Sequence, residues 1–109
     1  MTDGFDDRKK AAEEKFAHDE ELRFKAAARR NYKLGLWVAE LLGLSGARAE
    51  EYAKSVIMAD LEEPGDDDVV RKVMADLQAK GVEMSEHRLR HRMAQLLDEA
   101  KQEVLRGQS

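Results

Sequence analysis

The sequence predicts an all-α fold: a small four-helix bundle with a long first helix and a mobile N-terminal segment. Three observations carry that reading. Charged residues make up 39% of the 109 residues and aromatics only 6%, with a single proline, a balance that suits long solvated helices and not a β-sandwich. Apolar residues recur at three- and four-residue spacing in four separate stretches, the period of helices with one buried face. Glycine, proline and short polar residues stand between those stretches, where helices stop and start. A chain of this length has room for one core and no second independent domain.

From Met1 to Glu21 the large apolar residues are Met1, Phe5 and Phe16, set among charges. Such a stretch cannot bury enough surface to offset the entropy of ordering it. Phe5, Ala12 and Phe16 nevertheless fall at spacings of seven and four, on one helical face. Residues 1–17 are therefore expected to be mobile, and to become a helix when a partner offers a groove. The first bundle helix, over about 18–42, carries Leu34, Trp37, Val38, Leu41 and Leu42 at i, i+3, i+4, i+7 and i+8 and stops at Gly43. Gly35 within it should cost about 1 kcal/mol relative to alanine, and close packing against a second helix is the simplest offset.

The second helix, about 46–62, is expected to be capped by Ser45 and to turn Ala49, Tyr52, Ala53, Val56, Ile57 and Leu61 inward before Pro64-Gly65 ends it. Asp66, Asp67 and Asp68 offer both a cap and negative charge to the positive end of a third helix, about 67–80, with Val69, Val70, Val73, Met74 and Leu77 as its face. Gly81 stops it. Ser85 should cap a fourth helix, about 86–106, that buries Leu89, Met93, Leu96, Leu97, Ala100 and Val104 before Gly107. Short connections make neighbouring helices run antiparallel, so residues 18–107 form the bundle.

Charge and composition exclude several classes. Nineteen basic against 23 acidic residues give a net charge of -4, which argues against a nucleic-acid partner. No cysteine is present, so there are no disulfides, thiolate metal sites or Cys nucleophiles. The N-terminus has neither a basic start nor an apolar stretch, unlike a secretory signal. The longest apolar run, Leu34 to Ala39, is too short to span a bilayer. A cytoplasmic protein with no direct membrane insertion is the expectation.

The residues that could carry chemistry mostly have plainer explanations. Gly43-Leu44-Ser45-Gly46-Ala47 lacks the last glycine, the preceding strand and the partners of a nucleophile elbow, and reads as a capped turn. Asp60 to Arg71 brushes against a calcium loop, but its fifth position is Pro64 and its twelfth is Arg71, where calcium needs glutamate. His87 and His91 stand four apart with Arg88, Arg90 and Arg92 interleaved, so an exposed pair is favoured over metal ligands. His18, beside Glu14, Asp19 and Glu20, reads as locally paired. The arginines themselves oppose the dipole at the start of a helix. Either nearby acids screen them, or they meet an anion such as a nucleotide phosphate. Arg23, Lys25, Arg29, Arg30 and Lys33 form a second basic stretch, partly countered by Glu20 and Glu21.

At Lys15-Phe16-Ala17-His18-Asp19-Glu20-Glu21-Leu22-Arg23-Phe24-Lys25, then Ala28-Arg29-Arg30-Asn31 and Leu34-Gly35-Leu36-Trp37, the chain resembles the zeta-subunit family of bacterial F-type ATP synthases. Leu42-Gly43-Leu44, Ala49-Glu50, Tyr52-Ala53-Lys54, Ala59-Asp60 and Gly65-Asp66-Asp67-Asp68-Val69 extend the resemblance over nearly the whole length, though the fourth helix adds little. The resemblance implies a four-helix inhibitor of ATP hydrolysis, not an enzyme. Its mobile N-terminal segment would enter the catalytic head of the synthase at a nucleotide-bearing interface beside the rotor. On that basis Phe5 and Phe16 are expected as apolar anchors in a groove, and Arg8, Lys9, Lys10 and Lys15, with Glu13, as charged contacts. The protein is expected to be a monomer when free and to join the membrane-bound synthase on its cytoplasmic side. No cofactor is implied; weak ATP or ADP contact at Arg88, Arg90 and Arg92 belongs to an alternative reading as a nucleotide-responsive or generic helical adaptor.

Overall fold

The computed structural model describes residues 19–62 and 65–107, and among them finds four helices and no strand. They are α1 (Glu20–Leu41), α2 (Ala47–Glu62), α3 (Asp67–Ala79) and α4 (Glu86–Leu105). The expected mobile segment, residues 1–17, lies outside the described residues, as do His18 and the Pro64 stop.

One stripe from each helix builds the core. Leu34, Val38 and Leu42 of the first meet Val56 of α2, Val69, Val70, Val73 and Leu77 of α3, and Leu89, Met93 and Leu96 of α4. A smaller cluster joins Ala26 to Val104, with Leu22, Leu97 and Leu105 packed against it. It places the start of α1 beside the end of α4. Trp37 lies against Arg92, and Arg29 and Lys33 against Glu103, so the two helices run in opposite directions.

Gly35 is where α1 and α2 come closest. A Cβ built there would lie 2.4 Å from Ala53 Cα and 2.9 Å from Ala53 Cβ, distances no side chain tolerates. The missing side chain lets two backbones touch, which supplies the expected offset to the cost of a mid-helix glycine.

Two of the connections close in the same way. Leu44 N–H donates to Ala39 O and Gly43 N–H to Glu40 O; likewise Val82 N–H donates to Leu77 O and Gly81 N–H to Gln78 O. Each is a Schellman motif, with glycine at the left-handed position (φ 78° and 77°). The residue after each glycine, Leu44 or Val82, packs onto the core. That contact turns a helix stop into an anchor for the next helix.

Capping departs from expectation at two starts. Ser85 does cap α4, accepting from Arg88 N–H at 3.0 Å. Ser45 does not cap α2: the first helical bond runs from Glu50 N–H to Gly46 O, so Gly46 holds the cap position and Ser45 stands one residue too early. Asp66 holds the cap position of α3 but makes no capping bond. Its carboxylate accepts instead from Arg30 Nη2 at 2.7 Å. Leu61, expected inward, is exposed, because α2 reaches its last turn there.

Arg30 explains why Asp66 is diverted. It is 3% exposed, and a guanidinium taken out of water needs an anion and acceptors. Asp66 supplies the first, and Asn31 Oδ1 accepts from Arg30 Nε at 2.8 Å. The connection between α2 and α3 is thereby tied to α1. On the opposite flank Glu103 accepts from Arg29 Nε at 2.6 Å and Lys33 Nζ at 2.8 Å, fastening α4 to α1. The Arg29 hydrogen bond first, then that of Lys33, hold the Glu103 carboxyl down to about 2. Between α2 and α3, Tyr52 donates to Asp76 at 2.8 Å beneath the Lys72 ammonium. Partial burial, then that hydrogen bond, push its phenol well above the usual range.

Three outcomes follow. Gly35→Ala should gain helix propensity yet lose about 1–3 kcal/mol overall by overpacking, seen as a thermal midpoint lowered by several degrees in circular dichroism. Asp66→Ala should cost about 1–3 kcal/mol, less than a fully buried pair because Asp66 is half in water, and Arg30→Met in the same chain should restore part of that in urea unfolding. The Glu103 carboxyl, ordinarily near 4.5, is depressed to about 2 in the fold. Its stabilisation is therefore complete above about pH 4.5 and disappears as pH falls toward 2. Urea midpoints of Glu103→Gln should depend less on pH across that window than those of the parent.

Candidate protein-interaction site

The first bundle helix begins at a side-chain cap. Asp19 has an extended backbone (φ -126°, ψ 101°) and its carboxylate accepts from Leu22 N–H at 3.1 Å. A helix closed by its own cap has no need of the preceding chain. Glu20 and Glu21 follow in the first turn, where negative charge favours the helix dipole. The residues expected to meet a partner, Phe5, Arg8, Lys9, Lys10, Glu13, Lys15 and Phe16, all precede this cap and lie outside the described residues.

The second basic stretch is neutralised residue by residue. Arg23 pairs with Glu20 and Lys25 with Glu21 on the surface, Arg29 and Lys33 with Glu103, and Arg30 with Asp66. The remote acids Glu103 and Asp66 complete a balance that the local acids only begin. No free basic face remains on α1 among these residues, so α1 offers little to a nucleic-acid backbone.

Arg88, Arg90 and Arg92 have different neighbours. Arg90 donates to Asp67 Oδ1 at 2.9 Å and to Glu86 Oε2 at 3.4 Å, so the acidic turn before α3 compensates the charge near the start of α4. The hydrogen bond that Arg90 donates to Asp67, more than the one to Glu86, raises its hold on its proton. Arg92 lies over the Trp37 ring, 5.4 Å from its centroid, a cation–π geometry, and its enclosed Nε has no hydrogen-bond partner. Arg88 is exposed and borders a shallow hollow with Met84, Ser85 and Gln78.

His87 and His91 are both exposed, and no group of three or more metal-ligating side chains occurs among the described residues. Among the described residues no helix is long and apolar enough to cross a membrane.

The exposed large hydrophobics among the described residues are Phe24 at 62%, Met58 at 60% and Leu61 at 55%. Periodicity in sequence placed Leu61 inside. The available signal was length: α1 is 22 residues and α2 only 16, so an equal stripe on both cannot be covered along its whole course.

The comparisons agree with this architecture. A family model described as ATPase inhibitor subunit zeta matches residues 1–103. A chain solved by solution NMR is similar at a TM-score of 0.69 and 45% identity, over 79% of this chain and 98% of that one. Among curated proteins nothing matches.

Proposed function

The chain belongs to the ATPase inhibitor subunit zeta family, and from that premise we propose that it blocks ATP hydrolysis by an F-type ATP synthase through its N-terminal segment. Residues 1–17 enter a catalytic interface beside the rotor and become helical there, with Phe5 and Phe16 seated in apolar pockets. Arg8, Lys9, Lys10 and Lys15 meet acidic groups of the enzyme, and Glu13 a basic one. The bundle remains outside as a monomeric anchor on the cytoplasmic face of the membrane-bound enzyme.

The observation that supports this most directly is the reach of the family match, which begins at residue 1 and so takes in the segment that precedes the Asp19 cap. An inhibitor of this kind does no bond chemistry. It stabilises one rotor angle by binding that state more tightly than the others. Moving a population from 1:99 to 99:1 needs about 5.5 kcal/mol of differential affinity, within reach of two buried aromatics and a few charge pairs. Tethering helps: a segment carried by an anchored bundle acts at an effective concentration in the millimolar range.

Deleting residues 2–16 is expected to leave the helical circular dichroism and melting of the bundle in place while abolishing inhibition in an ATP hydrolysis assay with the cognate enzyme. A truncated protein as inhibitory as the full chain would sink the mechanism.

A further inference from the structure

The four helices share one core, but they are not equally fastened to it. α1 is the common partner: Gly35 touches Ala53 of α2, and Arg29 and Lys33 grip Glu103 of α4. Neither contact involves α3. At 13 residues α3 is the shortest of the four, and a helix of that length is marginal in water once it has no face to bury. α1 and α4 are each closed by a side-chain cap, from Asp19 and Ser85, whereas Asp66 makes no capping bond for α3.

Glycines bracket this helix. Gly65 and Gly81 both stand in the left-handed region, at φ 113° and 77°, and a Cβ built at either would meet nothing within 4 Å. Unlike Gly35, neither is wedged against a neighbour, so each can absorb the dihedral change of a hinge. The two ends are held differently. At Gly81 the Schellman bonds and Val82, packed on the core, secure the end of α3, and Tyr52 donates to Asp76 nearby. At the start the hold is electrostatic: Asp66 on Arg30, with side-chain exposures of 49% and 4%, and Asp67 on Arg90, with 82% and 43%. The Asp67 pair lies largely in water and contributes little. The Asp66 pair is the firmer, because separating it takes the anion from a buried guanidinium. We infer that α3 is a hinged element that opens from the core while α1, α2 and α4 stay packed, and that the Arg30–Asp66 pair is the latch that holds it shut. Opening uncovers Val69, Val70, Val73 and Leu77 and the apolar side chains they share the core with, so the open state is the minor one.

The test is native-state hydrogen exchange on the full chain, followed by NMR at neutral pH in rising low concentrations of urea. Val70, Val73 and Leu77 report on α3, Leu34 and Val38 on α1, and Met93 and Leu96 on α4. A detached α3 cannot keep its own hydrogen bonds, so its amides exchange whenever it opens. Corrected for intrinsic rates, the α3 amides of the parent should exchange at least about tenfold faster than those of α1 and α4, and with a weaker urea dependence because less surface is exposed. Asp66→Asn should speed the α3 amides at least about fivefold further, whereas in an Arg30→Met background the same substitution should change them less than about twofold. Asp68→Asn is the control: its partner Arg71 lies on α3 itself, and its effect should stay below about twofold. A single level of protection and a single urea dependence for all three helices overturn the inference, because α3 then opens only with the whole bundle. An equal response to Asp66→Asn and Asp68→Asn, or an Asp66→Asn effect that survives Arg30→Met, overturns the latch.

Discussion

Everything in this fold is arranged around the point where α1 and α2 touch backbone to backbone. Gly35 and Ala53 are too close for any side chain at position 35, so the crossing point of the two helices is fixed by the sequence and cannot slide by a turn. From that point the lengths of the helices decide what is covered. The upper halves share a core with α3 and α4. Below the crossing, α1 outruns α2, and Phe24 is left exposed beside the junction from which the N-terminal segment departs. A single glycine thus sets both the packing of the two helices and how far α1 runs past α2.

The high charge content has a more specific role than solubility. Arg30 is buried and draws Asp66 away from the helix it precedes; Glu103 binds two cations of α1 from α4; Asp67 compensates Arg90 at the positive end of α4. These pairs join elements distant in sequence. They act less as sources of free energy, since partly exposed ion pairs contribute little, than as constraints on which connection lies against which helix.

Helix number, helix faces and the glycine stops at Gly43 and Gly81 were legible because they depend on local spacing. The Gly35 contact was legible as a cost that something had to offset, though the sequence could not say that Ala53 was the answer. Asp66 and Leu61 were misread for one shared reason. A cap and an inward face are local inferences, and each was overridden by a distant fact: the need of buried Arg30 for an anion, and the place where α2 ends. The three arginines of α4 could be counted in sequence, but their separation into an ion pair, a ring contact and an exposed side chain required knowing that Asp67 and Trp37 lie on different sides of that helix.

The central claim is that one part of this chain folds and another part inhibits. Because the sequence contains no cysteine, a single cysteine introduced at position 10 can carry a photoactivated cross-linker, with a second protein labelled at exposed position 95 as the comparison. During ATP hydrolysis the label at position 10 should cross-link to catalytic and rotor subunits as activity is lost, and the label at position 95 should not. Cross-linking from position 95 into the catalytic interface, with none from position 10, would contradict the account.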